Sequence, residues 1–423
     1  MRSFLSNTLR IRLPIWLVVP MLGLTLALGL AGGYFGTTLR TITPCPQSPT
    51  VCAGFANFWK TWDLVSANYV DPKAIDPAKM TDGAIEGMLD SLGDRGHTRY
   101  LSADVARAES QSLSGRFEGI GAYIDVRDEQ PLIVQPIEGS PAEKAGLRAG
   151  DLILKVNGTD VRGVTIDELR SKIIGPKGTQ VTLTIQHNGE ELPIDIKITR
   201  EEIKVPSVSW RMLPNNMALM RLSQFTERSD DEMKQALTDA RAQGATSVVL
   251  DLRNNPGGLV STLVGVAGEF LPADTTVLLE QDRSGDRKPY KTNAGGVAGD
   301  LPLVVLVNNN TASAAEILAG ALKDAGRARV IGVPTFGTAT VLRTFDLSGG
   351  AQVRIGTTEW LTPKGQEVRG KGIDPDEVVA LPPEAQPLSP TDAAKLDAQA
   401  LAQSTDVQLA HAIKSLQATI GKH

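Results

Sequence analysis

Ser313 and the paired glycines Gly257 and Gly258 are the residues whose types and settings could do acyl-transfer chemistry. Ser313 lies in the stretch N-N-N-T-A-S-A-A-E-I, residues 308–317. The apolar run Leu303–Val307 before it has the length and branching of a buried strand. Ala315, Leu318, Ala319 and Leu322 follow at helical spacing, so a helix starts near Ser313. A serine at a strand-to-helix turn sits where helix N-terminal amides stabilise a developing negative charge, and it can serve there as a nucleophile. The same residues also read as a helix cap, with Ser313 or Thr311 capping and Glu316 as the capping-box partner.

Gly257 and Gly258 belong to N-N-P-G-G-L, residues 254–259, which follows a strand over Ser247–Arg253. Met217–Phe225 reads as an earlier strand and Asp230–Gln243 as an amphipathic helix between the two. Strand, helix and strand in this order predict a βαβ unit and a sheet with parallel members. The loop after Arg253 then lies at the carboxyl end of its strand, where such sheets place ligands. Its glycines allow a tight turn with exposed amides, either an oxyanion-hole donor or simply a turn. His97, in D-R-G-H-T-R-Y-L (residues 94–101), reads as a loop histidine packed between helices, since neither acid nor nucleophile is paired with it in sequence.

The 423 residues allow two or three domains, and 41% hydrophobic content is enough for their cores. With 43 Lys and Arg against 48 Asp and Glu, the net charge of −5 carries no footprint for nucleic acid. The composition, 41 Gly and 25 Pro with 4% aromatics, suits a turn-rich α/β or α+β protein. No cysteine or histidine spacing calls for a metal, and no cofactor is expected.

Leu13–Phe35 is an almost unbroken apolar run of 23 residues, preceded by Arg2, Arg10 and Arg12. Its length predicts a membrane-spanning anchor, and the preceding arginines predict a cytoplasmic N-terminus with the bulk of the chain exported. The expected location is the cell membrane, single-pass and facing the periplasm or exterior. The small residues Ala27, Gly29 and Ala31 leave signal-peptide cleavage as the other outcome. Export favours a disulfide between Cys45 and Cys52 over two free thiols. Phe55 to Tyr69 carries Phe58, Trp59, Trp62 and Val65 on one helical face. After Pro382, Pro383, Pro387 and Pro390, the tail Thr391–Ile420 reads as a helix docking on the body, with a partner-binding helix as the other reading and with His411 and His423 facing solvent.

From Gly115 the chain alternates short strands and turns. The run S-P-A-E-K-A-G-L-R-A-G-D-L-I-L-K-V-N-G, residues 140–158, resembles a PDZ domain. In that family an extended peptide adds beside a sheet edge, and backbone amides of a glycine-rich loop hold its terminal carboxylate. Gly119-Ile120-Gly121-Ala122 stands at the matching position, and its glycines permit the turns that point N–H groups at an anion. The other reading gives these glycines a turn and no ligand.

The whole set resembles the carboxyl-terminal processing (tail-specific) serine peptidases, from about Phe55 to Leu416. The matching motifs are Y-V-D at 69–71, D-R-G-H-T-R-Y-L at 94–101 and D-L-R-N-N-P-G-G at 251–258. They continue with A-S-A-A-E-I at 312–317, G-R-A at 326–328 and G-K-G-I-D-P-D at 370–376. The resemblance implies an α/β (ClpP/crotonase-like) peptidase core after a helical N-terminal region and a PDZ domain. The implied divisions are an anchor over 1–40, a linker and helical region over 41–114, the PDZ domain over 115–200, the core over 201–380 and a helical extension over 381–423. The implied partners are C-terminal tails of unfolded or exported proteins, with the membrane engaged through the N-terminal helix.

The resemblance also makes Ser313 the nucleophile, with an oxyanion hole from Ala314 and from Gly257 or Gly258. The family's general base is a lysine directly after T-F-G, supported by a glutamine four residues on. Here Thr335-Phe336-Gly337 is followed by Thr338, and Leu342 stands at the glutamine position. A threonine hydroxyl cannot accept a proton at neutral pH as an amine does. Three readings follow: a peptidase with another base (Lys323, Lys364 and Lys371 are nearby in sequence), an inactive relative that binds tails through its PDZ domain, or a serine retaining weak activity from positioning alone.

Overall fold

The computed structural model describes residues 47–420, apart from 95, 96, 128, 138, 191 and 294. The apolar run Leu13–Phe35, Cys45 and His423 lie outside the described residues. Among the described residues no helix is long and apolar enough to cross a membrane. Two compact units divide the chain, one ending at Thr81 and the other beginning at Asp82. The first contains helix α1 (Pro49–Asn68), which has no buried residue and whose Phe55, Phe58, Trp59 and Trp62 touch one another edge-on or tilted. Helix α2 (Pro77–Asp90) follows.

The second unit is entered through β1 (Arg99–Leu101) and α3 (Ala103–Ser114). A narrow antiparallel pair, β2 (Arg116–Gly119) with β8 (Glu201–Lys204), then carries the chain into and out of a small domain. That domain has strands β3 (Ala122–Arg127), β4 (Gln130–Pro136), β5 (Leu152–Val156), β6 (Gln180–Gln186) and β7 (Ile194–Thr199), hydrogen-bonded in that order. Helix α4 (Ile166–Ile173) opens with a two-way capping box between Thr165 and Glu168, and its Leu169 and Ile173 join Ile133, Ile153, Leu183 and Ile198 in one core. On β6 the alternation of Val181, Leu183 and Ile185 inward is that of a strand with one buried face.

The larger part is built on a sheet of β9 (Val208–Leu213), β10 (Met217–Leu222), β11 (Ser247–Asp251), β14 (Leu303–Val307), β15 (Arg329–Gly332) and β18 (Glu377–Val378). All neighbours but β9 and β10 are parallel. Every residue of β11 and β14 is buried, which is why both read as unbroken apolar runs. On one face Met220, Leu250, Val305 and Val307 pack against α5 (Ser229–Ala242), α6 (Val260–Gly268) and α7 (Ala314–Asp324). On the other, Leu219, Val249, Val304 and Leu306 pack against Leu401, Leu409 and Leu416 of the C-terminal tail. That tail is two short helical segments and a longer one, α8 (Val407–Ile420), because the chain turns at Ser389 and Asp397, each of which caps the next segment. A second sheet holds β1, β12 (Thr276–Gln281), β13 (Arg287–Lys291) and the hairpin of β16 (Thr340–Asp346) with β17 (Gln352–Leu361).

Candidate active site

Ser313 immediately precedes α7, at the carboxyl end of β14, with φ 53° and ψ −122°. An L-residue rarely takes that conformation, and holding it costs on the order of 1–3 kcal/mol. Two neighbouring loops hold it. Ala312 N–H donates to Asn255 O at 2.9 Å. The Thr311 hydroxyl donates to Leu252 O at 2.9 Å and accepts Asn308 N–H at 2.9 Å, so Thr311 closes the turn onto β11 and does not cap α7.

The N-N-P-G-G turn lies directly against Ser313. Gly257 has φ 95°, and a Cβ there would stand 2.7 Å from Ser313 Cβ and 2.9 Å from both Ala312 O and Ala314 N. Only glycine lets the two backbones approach so closely. The Gly257 amide is committed, donating to Asn255 Oδ1 at 2.8 Å, while Asn255 Nδ2 donates to Leu222 O at 2.8 Å. Among the described residues the amides of Gly258 and Ala314 have no acceptor. The unengaged Ala314 N–H thus follows a strained serine at a helix N-terminus, and the unengaged Gly258 N–H follows the glycine that packs on that serine, donors of the kind that stabilise an oxyanion.

Glu316 does far more than cap. It is fully buried, and its carboxylate accepts Ser313 N–H (2.8 Å) and Thr338 N–H (2.9 Å) on Oε2, with Thr335 Oγ1 (2.5 Å) and Gly337 N–H (2.7 Å) on Oε1. Thr335 Oγ1 in turn accepts Ile373 N–H at 2.7 Å, and Phe336 N–H donates to Thr311 O at 3.0 Å. The T-F-G-T loop is therefore pinned to the Ser313 turn through one carboxylate.

Thr338 is buried in that loop. Its carbonyl accepts the Trp360 indole N–H at 2.9 Å, while its hydroxyl is buried without a partner among the described residues. Leu342 lies on β16 opposite Gly356, at a bulge. The three lysines close in sequence are engaged elsewhere. Lys323 Nζ donates to Asp374 O at 2.7 Å and pairs with Asp376 at 3.4 Å. Lys364 pairs with Asp324 at 3.9 Å and Lys371 with Glu367 at 3.4 Å.

His97 packs differently from the expectation. Its Nδ1 lies 2.9 Å from Thr340 Oγ1, at the start of the β16–β17 hairpin. Burial pushes its pKa down, with Asp94 opposing and Arg99 adding to the shift. His411 does not simply face solvent either, because its Nε2 is 2.5 Å from Glu377 Oε2.

Behind the glycine turn, fully buried Arg253 donates to Asp251 (2.8 and 2.9 Å) and to Asp406 in the tail (2.7 and 3.0 Å). Arg221 also donates to Asp251, at 2.6 Å. Burial alone would raise the Asp251 carboxyl, and the two guanidiniums outweigh it and hold it below the usual range. From sequence, Asp251 and Arg253 are only members of the D-L-R-N-N-P-G-G motif, and Asp406, 153 positions after Arg253, carries no signal.

In the small domain, Gly121 has φ 78°, and a Cβ there would meet Ser140 Cβ at 2.4 Å. The carbonyls of Ile120 and Gly121 accept Ala142 N–H (2.8 Å) and Ile137 N–H (2.9 Å). Their own amides have no acceptor among the described residues. Strand β3, which follows, is hydrogen-bonded only to β4, so its other edge is open.

An α/β core with a serine turn beside a glycine turn, preceded by a small domain with an open strand edge, defines a PDZ-bearing protein of serine-peptidase type. Residues 216–379 match the peptidase family S41 and residues 132–187 match the PDZ domain. The "Carboxy-terminal processing protease CtpA" of Bacillus subtilis (strain 168) is 36% identical over 323 residues, 76% of this chain and 68% of that protein. The "Probable CtpA-like serine protease" of Staphylococcus aureus (strain COL) is 37% identical over 322 residues, and the match spans 76% of this chain but only 64% of the length of that relative. The solved photosystem II D1 C-terminal processing protease shares 30% identity, with a TM-score of 0.46, over 80% of this chain and 95% of that one. The chain belongs to peptidase family S41 and carries a PDZ domain.

Proposed function

We propose that this chain is a membrane-anchored, extracytoplasmic, tail-specific serine endopeptidase. The PDZ domain would take the C-terminus of an unfolded or exported protein as an added strand on β3, its carboxylate meeting the unengaged amides of Ile120 and Gly121. Ser313 Oγ would then attack a peptide carbonyl further along the same chain. The observation that carries this reading is Ser313, held at φ 53° against Gly257, with the amides of Gly258 and Ala314 lacking an acceptor among the described residues. Of the two glycines expected to donate, Gly258 takes the role, because the Gly257 amide is spent on Asn255. The anchor rests on Leu13–Phe35 and the basic residues before it, and the Cys45–Cys52 disulfide on the exported location that anchor implies.

Hydrolysis of an unstructured protein with an apolar C-terminus, compared with Ser313→Ala, tests the peptidase role. Equal rates contradict it. One observation favours a second reading, an inactive relative that binds tails: the general-base position holds Thr338, whose buried hydroxyl has no partner among the described residues and which cannot accept a proton at neutral pH. In that case tail binding persists with no Ser313-dependent cleavage.

A further inference from the structure

If Ser313 is the nucleophile, its proton must go to a group other than residue 338. Lys323, Lys364 and Lys371 are held by carboxylates, and Glu316 already accepts four hydrogen bonds. His187 is buried against Asp151 in the PDZ domain, and His411 is bonded to Glu377 beside the tail. Among the described histidines only His97 touches the segment that carries Thr338, through Thr340, two residues further along.

We propose that His97 replaces the missing lysine as the general base for Ser313. This rests on the peptidase reading above. Several features suit the imidazole to the task. In the tautomer that donates Nδ1–H to Thr340 Oγ1, Nε2 is the unprotonated nitrogen, and Nε2 has no partner among the described residues. The Asp94 carboxylate favours the imidazolium that would form, and is itself fixed by the Thr98 hydroxyl at 2.7 Å, which accepts Gly356 N–H at 3.0 Å. Arg99 opposes Asp94 electrostatically, and burial pushes the ring's pKa down, which favours its neutral form. Ser313 and Thr338 share one oxygen of Glu316, so the loop leading to Thr340 is anchored to the nucleophile's own turn.

The step balances without a cofactor. The Ser313 hydroxyl proton passes to His97 Nε2 as Oγ bonds the carbonyl carbon, and the oxyanion is met by Gly258 and Ala314 N–H. Collapse breaks the C–N bond, and His97 returns the proton to the leaving amine. Water, deprotonated by the same nitrogen, then attacks the acyl carbon; the C–Oγ bond breaks, His97 returns the proton to Ser313 Oγ, and the acyl group leaves as a carboxylic acid that ionises. Substrate binding has to bring the ring from Thr340 onto Ser313, a tightening that resting sites commonly await.

The test uses the full chain in detergent micelles and hydrolysis of an unstructured protein with an apolar C-terminus. His97→Asn keeps a donor for Thr340 but has no basic nitrogen, and should lower kcat by about 100-fold or more. The wild-type rate should fall on an acid limb below the ordinary histidine pKa, at about 6.5. His97→Ala should regain rate when free imidazole is added, which a purely structural role would not produce. A His97→Asn rate within threefold of wild type, or no rescue of His97→Ala, overturns the assignment and leaves the Ser313 reading standing. A wild-type rate equal to that of Ser313→Ala overturns both.

Discussion

Replacing Glu316 by Gln keeps the shape of the side chain while changing what it can accept. The carboxylate takes two donors on each oxygen, and all four come from the segments that form the site. A glutamine supplies one accepting oxygen and one NH2. With the NH2 toward Ser313 and Thr338, two backbone N–H groups face a donor. With it toward Thr335 and Gly337, the threonine hydroxyl can turn and accept, so one backbone N–H is stranded. A buried donor without an acceptor costs about 1–3 kcal/mol, and hydrogen bonds to a charged acceptor carry about 1.5–3 kcal/mol each. The second orientation therefore wins, and Glu316→Gln should destabilise this region by about 2–4 kcal/mol. The assay is denaturant unfolding followed by tryptophan fluorescence, since the Trp360 indole is bonded to Thr338 O, together with amide exchange at Gly337 and Thr338. The Gly337 amide should lose protection by about 30-fold or more, at roughly 1.4 kcal/mol per tenfold. An unchanged unfolding midpoint with unchanged exchange at Gly337 would refute the idea that one carboxylate joins the two loops.

Three further outcomes follow from the same geometry. Asp406→Ala leaves Arg253 short of one of its two carboxylates in a fully buried setting, so it should destabilise by about 3–5 kcal/mol and release the tail, seen as faster exchange across α8; Asp251 keeps its guanidinium partners above its lowered pKa, and its contribution should be lost only as pH falls below the ordinary carboxylate range. Gly121→Ala must place a Cβ 2.4 Å from Ser140 at positive φ and should abolish capture of a free C-terminal peptide, which in turn should bind the native protein better than its amidated form; equal affinities would remove the carboxylate-loop role. Thr338→Lys with Leu342→Gln should raise cleavage of the same unstructured substrate at least tenfold, and no gain would mean that the site does not accept a lysine at 338.

The sequence carried a large part of this architecture, and the physical reason is local. β11 and β14 are buried on both faces and so read as apolar runs, and α7 follows its turn at helical spacing. Ser313, Gly257 and Gly258 were legible as a serine and paired glycines in loops at strand ends, with their roles implied by the family resemblance, whereas the positive φ of the serine and the close glycine approach are visible only in the structure. Glu316 looked like a helix cap because its other donors arrive from a loop 19 to 22 positions later. The commitment of the Gly257 amide to Asn255 depends on where a side chain turns. His97 meets Thr340 across 243 positions, and no periodicity or spacing announces such a contact.

The most direct test is the cleavage of an unstructured protein with an apolar C-terminus by the full chain beside its Ser313→Ala variant, with acyl transfer to Ser313 followed by intact mass. The account predicts Ser313-dependent fragments and a transient acyl adduct on the wild type alone. The same slow background for both proteins, with no adduct, would contradict it.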